Sequence, residues 1–123
     1  MIFANTDQEI TLIYNSDDQI GKKILAYAQI ENVPIRNVDL VHTNLSTTHW
    51  ADLATRMGIK VRDLINTENP DFLQKFENLD ELSDDDWLKL LVHNPKILKA
   101  PIVMKGDKVV MMTNPQEMLT FIE

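Results

Sequence analysis

A thiolate placed where a strand turns into a helix is activated, because the helix dipole and free backbone N–H groups at that point lower its pKa. This chain has such a place. Glu9–Tyr14 reads as a strand, Asn15-Ser16-Asp17-Asp18 as a polar turn, and the residues that follow as a helix. Gln19 stands where the nucleophile would be, and its amide cannot act as one. No cysteine occurs among the 123 residues, which excludes disulfide exchange, thiolate metal sites and cysteine nucleophiles.

Other side chains that could carry chemistry are few. His42, His49 and His93 have no carboxylate at a recognisable ligand spacing, so no metal site is expected and the histidines are assigned to surface or capping roles. Asp84, Asp85 and Asp86 are consecutive on a helix and point in different directions, which suits capping rather than cation binding. Arg62 can pair with Asp63 or Asp39, or bind an anion. There is no glycine-rich phosphate loop, nucleophile elbow or basic-aromatic pattern.

The net charge of −7 is concentrated in one segment. Between Asn66 and Trp87, eight acids (Glu68, Asp71, Glu77, Asp80, Glu81, Asp84, Asp85, Asp86) face Lys75 alone, and the rest of the chain balances eleven against eleven. Such a lobe repels phosphate backbones, so direct nucleic-acid binding is not expected. It reads as a solvated surface around a helix start, with docking of a basic partner as the alternative. No apolar run approaches the roughly 18 residues that cross a bilayer, and no membrane association is expected. Met1-Ile2-Phe3-Ala4-Asn5 lacks the features of a signal peptide, so the expected compartment is the cytoplasm.

Hydrophobic spacing supplies the elements. Ile10, Leu12 and Tyr14 alternate with Thr11 and Ile13, apolar on both faces, as in a buried central strand. Ile20, Ile24, Tyr27 and Ala28 fall at helical spacing, and Val33-Pro34 is expected to end that helix. Ile35–Leu40 reads as a second strand, which makes a βαβ unit with parallel strands and a right-handed crossover.

Residues 46–98 read as a helical insert. Ser46 or Thr47 caps a helix carrying Trp50, Leu53, Ala54 and Met57, closed by Gly58. Short helices are expected at Val61–Asn66 and Pro70–Glu77. Ser83 starts another helix, which buries Trp87, Leu90 and Leu91 and ends at Asn94-Pro95. Ile102–Met104 and Lys108–Met112 flank Lys105-Gly106-Asp107 as a hairpin. Asn114-Pro115-Gln116-Glu117 opens a last helix expected to bury Met118, Leu119 and Ile122. The whole chain, 1–123, reads as a single domain.

This order, βαβ–helical insert–ββα with a mixed four-stranded sheet and a proline just before the third strand (Ala100-Pro101-Ile102), resembles the α/β thioredoxin-like, or glutaredoxin-like, fold. Tyr14-Asn15-Ser16, Met57–Leu64, Leu91–Pro95 and Ile97–Val103 resemble the glutaredoxin-linked arsenate reductases (ArsC) and the related Spx-type regulators. The resemblance spans roughly Ile10 to Ile122. Reductases of that family carry a cysteine in a Tyr-x-Asn-Pro-x-Cys type turn, a register that places Asp17 at the proline and Gln19 at the cysteine. They hold the oxyanion with three arginines. Arg62 matches the first, Ala100 occupies the second position, and the third falls near Thr113 or Asn114.

The resemblance implies a protein that has lost thiol reductase activity, needs no cofactor, and binds a protein or peptide partner. The implied groove comprises Asn15, Ser16, Asp17, Asp18, Gln19, Arg62, Ala100 and Pro101, with a cis bond at Pro101. The alternative is an oxidoreductase in which an external thiol such as glutathione supplies the sulfur chemistry.

Overall fold

A computed structural model describes residues 9–67 and 82–122. The expected Pro70–Glu77 helix lies outside the described residues. Contacts divide the chain into two compact units: the described residues through Thr43 together with those from Ala100 onward, and the described residues of Asn44–Lys99.

The first unit is built on a four-stranded sheet of order β2-β1-β3-β4, with β1 at Ile10–Tyr14, β2 at Ile35–Asp39, β3 at Ile102–Lys105 and β4 at Lys108–Met111. β1 pairs parallel with β2, Ile10 opposite Ile35 and Tyr14 opposite Asp39. It pairs antiparallel with β3, Ile13 opposite Ile102. Every residue of β1 is buried, Thr11 included, as its two-sided apolar pattern requires. On one face Ile10, Leu12 and Tyr14 pack with Ile24 and Ala28 of α1 (Gln19–Ile30), with Val103, and with Met118 and Phe121 near the chain's end.

Gly21 sets the closeness of α1 to β1. A Cβ at that position would lie 2.8 Å from Cδ2 and 2.9 Å from Cβ of Tyr14, so only glycine fits without displacement. The other end of α1 differs from expectation. The helix stops at Ile30 because Asn32 adopts φ 56°. The Val33 N–H then donates to Ala28 O (3.1 Å) and the Asn32 N–H to Gln29 O (3.1 Å), the paired bonds of a Schellman cap. Asparagine tolerates the left-handed region, so the helix ends before Val33-Pro34 is reached.

β3 and β4 are joined through Gly106-Asp107, with Gly106 at φ 59°, a positive value that a two-residue hairpin needs at its first central position. The final helix, Glu117–Ile122, buries Met118 and Phe121. Leu119 is 41% exposed, contrary to expectation, because the buried stripe of this short helix runs from Met118 to Phe121 at i, i+3 and turns Leu119 outward.

In the second unit, Ser46 caps α2 (Thr47–Met57), whose Trp50, Leu53 and Ala54 are buried. The His49 ring takes the part usually played by Glu or Gln in a capping box: its Nδ1 accepts the Ser46 N–H (3.2 Å), and Ser46 Oγ accepts the His49 N–H (3.3 Å). Gly58 closes α2 at φ 69°. Only Val61–Leu64 of the expected Val61–Asn66 helix is helical, as a 3₁₀ turn. Ser83 and Asp86 form a reciprocal capping box at the start of α3 (Asp84–His93), which buries Trp87 and Leu91. Numbered in the same order, Glu117–Ile122 is α4.

Candidate functional site

The turn before α1 is built by hydrogen bonds from both sides. The Asp18 N–H donates to Asn15 O (2.9 Å), closing the turn, and the Asp18 side chain caps α1 by accepting the Ile20 N–H (3.0 Å). Asp39, the last residue of β2, reaches across from the parallel neighbour: its Oδ1 accepts the Ser16 N–H (3.1 Å) and the Val41 N–H (3.0 Å). Its backbone carbonyl accepts the His42 and Thr43 N–H groups, and the His42 ring stands 3.9 Å from Oδ2. Gln19 and Asp17 are exposed, while Asn15, Ser16 and Asp18 are half-buried.

The electrostatics of this turn are negative. Burial pushes the Asp39 carboxyl up, but hydrogen bonds from Val41 and from the side chain and backbone of Ser16, with the nearby His42, hold it below the usual carboxylate range. Burial raises the Tyr14 phenol above its ordinary value, and the Asp39 carboxylate adds to that. The backbone donors of Ser16, Asp18 and Ile20, which could otherwise meet a thiolate or an oxyanion, are engaged by oxygens of the chain itself. An incoming anion meets Asp17, Asp18 and Asp39. No cysteine stands at this turn, and three of its backbone donors are already taken by the chain's own oxygens.

Ala100 and Pro101 lead into β3. The β1–β3 pairing ends at Ile13 opposite Ile102, the residue that directly follows Pro101. Ala100 and Pro101 are both buried, and the Met112 N–H donates to Pro101 O at 2.8 Å. The cis bond implied at Pro101 is not found: no peptide bond among the described residues is cis. Trans is the lower-energy isomer of an X–Pro bond by about 0.5–1 kcal/mol.

Arg62 belongs to the second unit. Its guanidinium lies over the Trp87 ring, 5.7 Å from the centroid, a cation–π contact that neither expected pairing foresaw. No group of three or more His, Asp or Glu residues that could hold a metal ion occurs among the described residues. No helix there is long and apolar enough to cross a membrane.

Asp39 is the site residue that sequence reasoning undervalued, having entered only as a possible partner of Arg62. A local signal existed. An Asp at a strand end can accept the N–H two residues on, as Asp39 does from Val41.

The mixed β2-β1-β3-β4 sheet, with α1 and α4 packed on it, defines a thioredoxin-like α/β protein, and its sequence holds no cysteine. A family model described as the ArsC family matches residues 12–121, and the chain belongs to that family. It is 23% identical over 101 residues to the global transcriptional regulator Spx 2 of Lactococcus lactis, covering 82% of this chain and 76% of that protein. It is 30% identical over 59 residues to the regulatory protein MgsR of Bacillus subtilis, covering 48% and 47%. The fold matches that of the arsenate reductase from Vibrio cholerae with a TM-score of 0.81 at 18% identity, covering 92% of this chain and 97% of that one.

Proposed function

We propose that this chain is a non-catalytic ArsC-family protein that acts in the cytoplasm as a regulatory module by binding a protein partner. What supports this reading is the start of α1: the chain has no cysteine, the resemblance assigns Gln19 to the nucleophile's position, and the carboxylates of Asp18 and Asp39 accept the Ile20 and Ser16 N–H groups there. The names of its relatives, transcriptional and regulatory proteins, support a regulatory role. A net charge of −7 opposes direct contact with nucleic acid, which favours action through a protein. The contact surface is the turn Asn15–Gln19 with the neighbouring Ala100-Pro101 segment. Its carboxylates select a neutral or basic extended peptide over an acidic one.

A photo-crosslinking residue at Gln19 tests this in cells. One defined protein partner is expected at that position, and the same residue placed at Asp107 on the hairpin is expected not to trap it. Arsenate or disulfide reduction by the purified protein, above a no-protein blank and surviving repurification, would overturn the non-catalytic reading.

A further inference from the structure

One face of α1 has nothing covering it among the described residues. Ile30 is 72% exposed, the most exposed of their large apolar side chains. With Lys23, Ala26 and Tyr27 it lines an open recess of about 300 Å³. These four residues fall at i, i+3, i+4 and i+7, a stripe in which Lys23, Ala26 and Ile30 are exposed and Tyr27, half-buried, packs with one edge against the core. Lys23 begins the stripe, and Glu31 lies just past its end. Both are exposed, and neither forms a salt bridge among the described residues.

We propose that this stripe is a self-complementary docking face through which two copies of the chain pair, α1 against α1, antiparallel about a two-fold axis beside Ala26 and Tyr27. The charge order selects a second copy as the occupant. Lys23 and Glu31 are eight positions apart, about 12 Å along the helix. Antiparallel pairing centred on Tyr27 therefore sets Lys23 of each copy beside Glu31 of the other, and the symmetry makes the ion pair twice. Apolar surfaces align in the same register: Ile30 of one copy lies over the recess at Lys23 and Ala26 of the other, and its burial supplies the apolar gain.

A single short helix face buries less than the roughly 1,200 Å² of the smaller stable interfaces, so the dimer is weak and exchanges rapidly. The proposal is independent of what the turn at Asn15–Gln19 binds.

Sedimentation of the full chain from low micromolar to several hundred micromolar tests it. The salt is held at about 0.15 M, where the screening length of about 8 Å damps the long-range repulsion between two acidic copies. A monomer–dimer equilibrium is expected. Ile30→Glu should weaken it at least about tenfold, by placing charge where apolar surface is buried. Lys23→Glu should weaken it by about tenfold, since the lost pair occurs twice. Adding Glu31→Lys to that variant should restore association to near the original.

The native chain has no thiol, so Ala26→Cys supplies a single reporter. Under mild oxidation it should cross-link between copies far faster than Asp107→Cys on the exposed hairpin. Circular dichroism checks that each variant is folded. A monomer at every concentration overturns the proposal, as does a dimer indifferent to Ile30→Glu. Failure of Glu31→Lys to rescue Lys23→Glu, or equal cross-linking at positions 26 and 107, also overturns it.

Discussion

Asp39 Oδ1 accepts the Ser16 N–H at 3.1 Å, so the last residue of β2 fixes the turn that opens α1. The parallel pairing of β1 with β2 makes this possible. It sets Asp39 opposite Tyr14, two residues before Ser16. One carboxylate thereby ties together two chain segments 23 residues apart and also orders the bend at Val41.

Removing that carboxylate should loosen the turn while leaving the sheet intact. Asp39→Ala is expected to cost about 1–3 kcal/mol, because two backbone donors lose their acceptor in a half-buried place. Asp39→Asn keeps an acceptor oxygen and should cost less. Urea unfolding gives the energies, and hydrogen exchange should show faster exchange at Ser16 and Val41 with little change in β1. Uniform acceleration across β1 and β3 would assign Asp39 to global stability instead.

The same residue gives the stability a pH dependence of known sign. Its native carboxyl titrates below the usual range, so the unfolded chain takes up the proton first as the pH drops. Its contribution is complete above the unfolded value of about 3.9 and is lost as pH falls through the lower native value. Asp86 acts in the same direction, through hydrogen bonds from the backbone and side chain of Ser83. Unfolding midpoints measured between pH 6 and pH 3 should therefore fall with acidity. Asp39→Asn should flatten that fall, and an identical slope in the variant would show that other carboxylates dominate.

Gly21→Ala should be among the more damaging single-methyl additions in the chain. The new Cβ would sit within 3 Å of Cδ2 and Cβ of Tyr14, and Cβ of a strand residue cannot swing aside. Either α1 moves off the sheet or Tyr14 leaves its rotamer, at a cost of about 1–3 kcal/mol. That strain outweighs the roughly 1 kcal/mol that alanine normally gains over glycine inside a helix. Thermal unfolding of this variant should show a clear loss of stability. An unchanged or raised midpoint would mean that α1 has slack against β1.

What could be read from the residues alone follows the range of the interactions concerned. Helix starts at Ser46 and Ser83 were legible because capping is a matter of three or four adjacent residues. The buried strand β1 was legible because its pattern is local too. The end of α1 was displaced because Asn32 and Pro34 both carry stop signals, and the left-handed Asn acts first along the chain. The role of Asp39 depends on the β1–β2 register, and the closeness of Gly21 to Tyr14 depends on how α1 lies on the sheet. The stacking of Arg62 on Trp87 joins residues 25 positions apart, so no nearby spacing announces it. Leu119 was misjudged for a different reason. In a helix of six residues, the periodicity is too short to distinguish one apolar face from its neighbour.

The sharpest test of the non-catalytic reading is to restore the missing atom. Gln19→Cys puts a thiol at the exposed first position of α1, where the helix dipole lowers its pKa from the free value of about 8.5. The carboxylates of Asp17, Asp18 and Asp39 oppose that shift by favouring the neutral thiol. Asp18→Ser in the same background keeps an N-cap acceptor while removing one charge, so it should move the alkylation midpoint lower. A midpoint that does not respond would show that the carboxylate at position 18 is not what governs this turn. Neither variant is expected to turn over arsenate, since the turn offers an oxyanion carboxylates instead of cations and Ala100 supplies no positive charge beside it. If Gln19→Cys alone reduces arsenate with a thiol donor, the chain's own oxygens do not close the site to anions, and the glutamine is the only barrier to reductase activity.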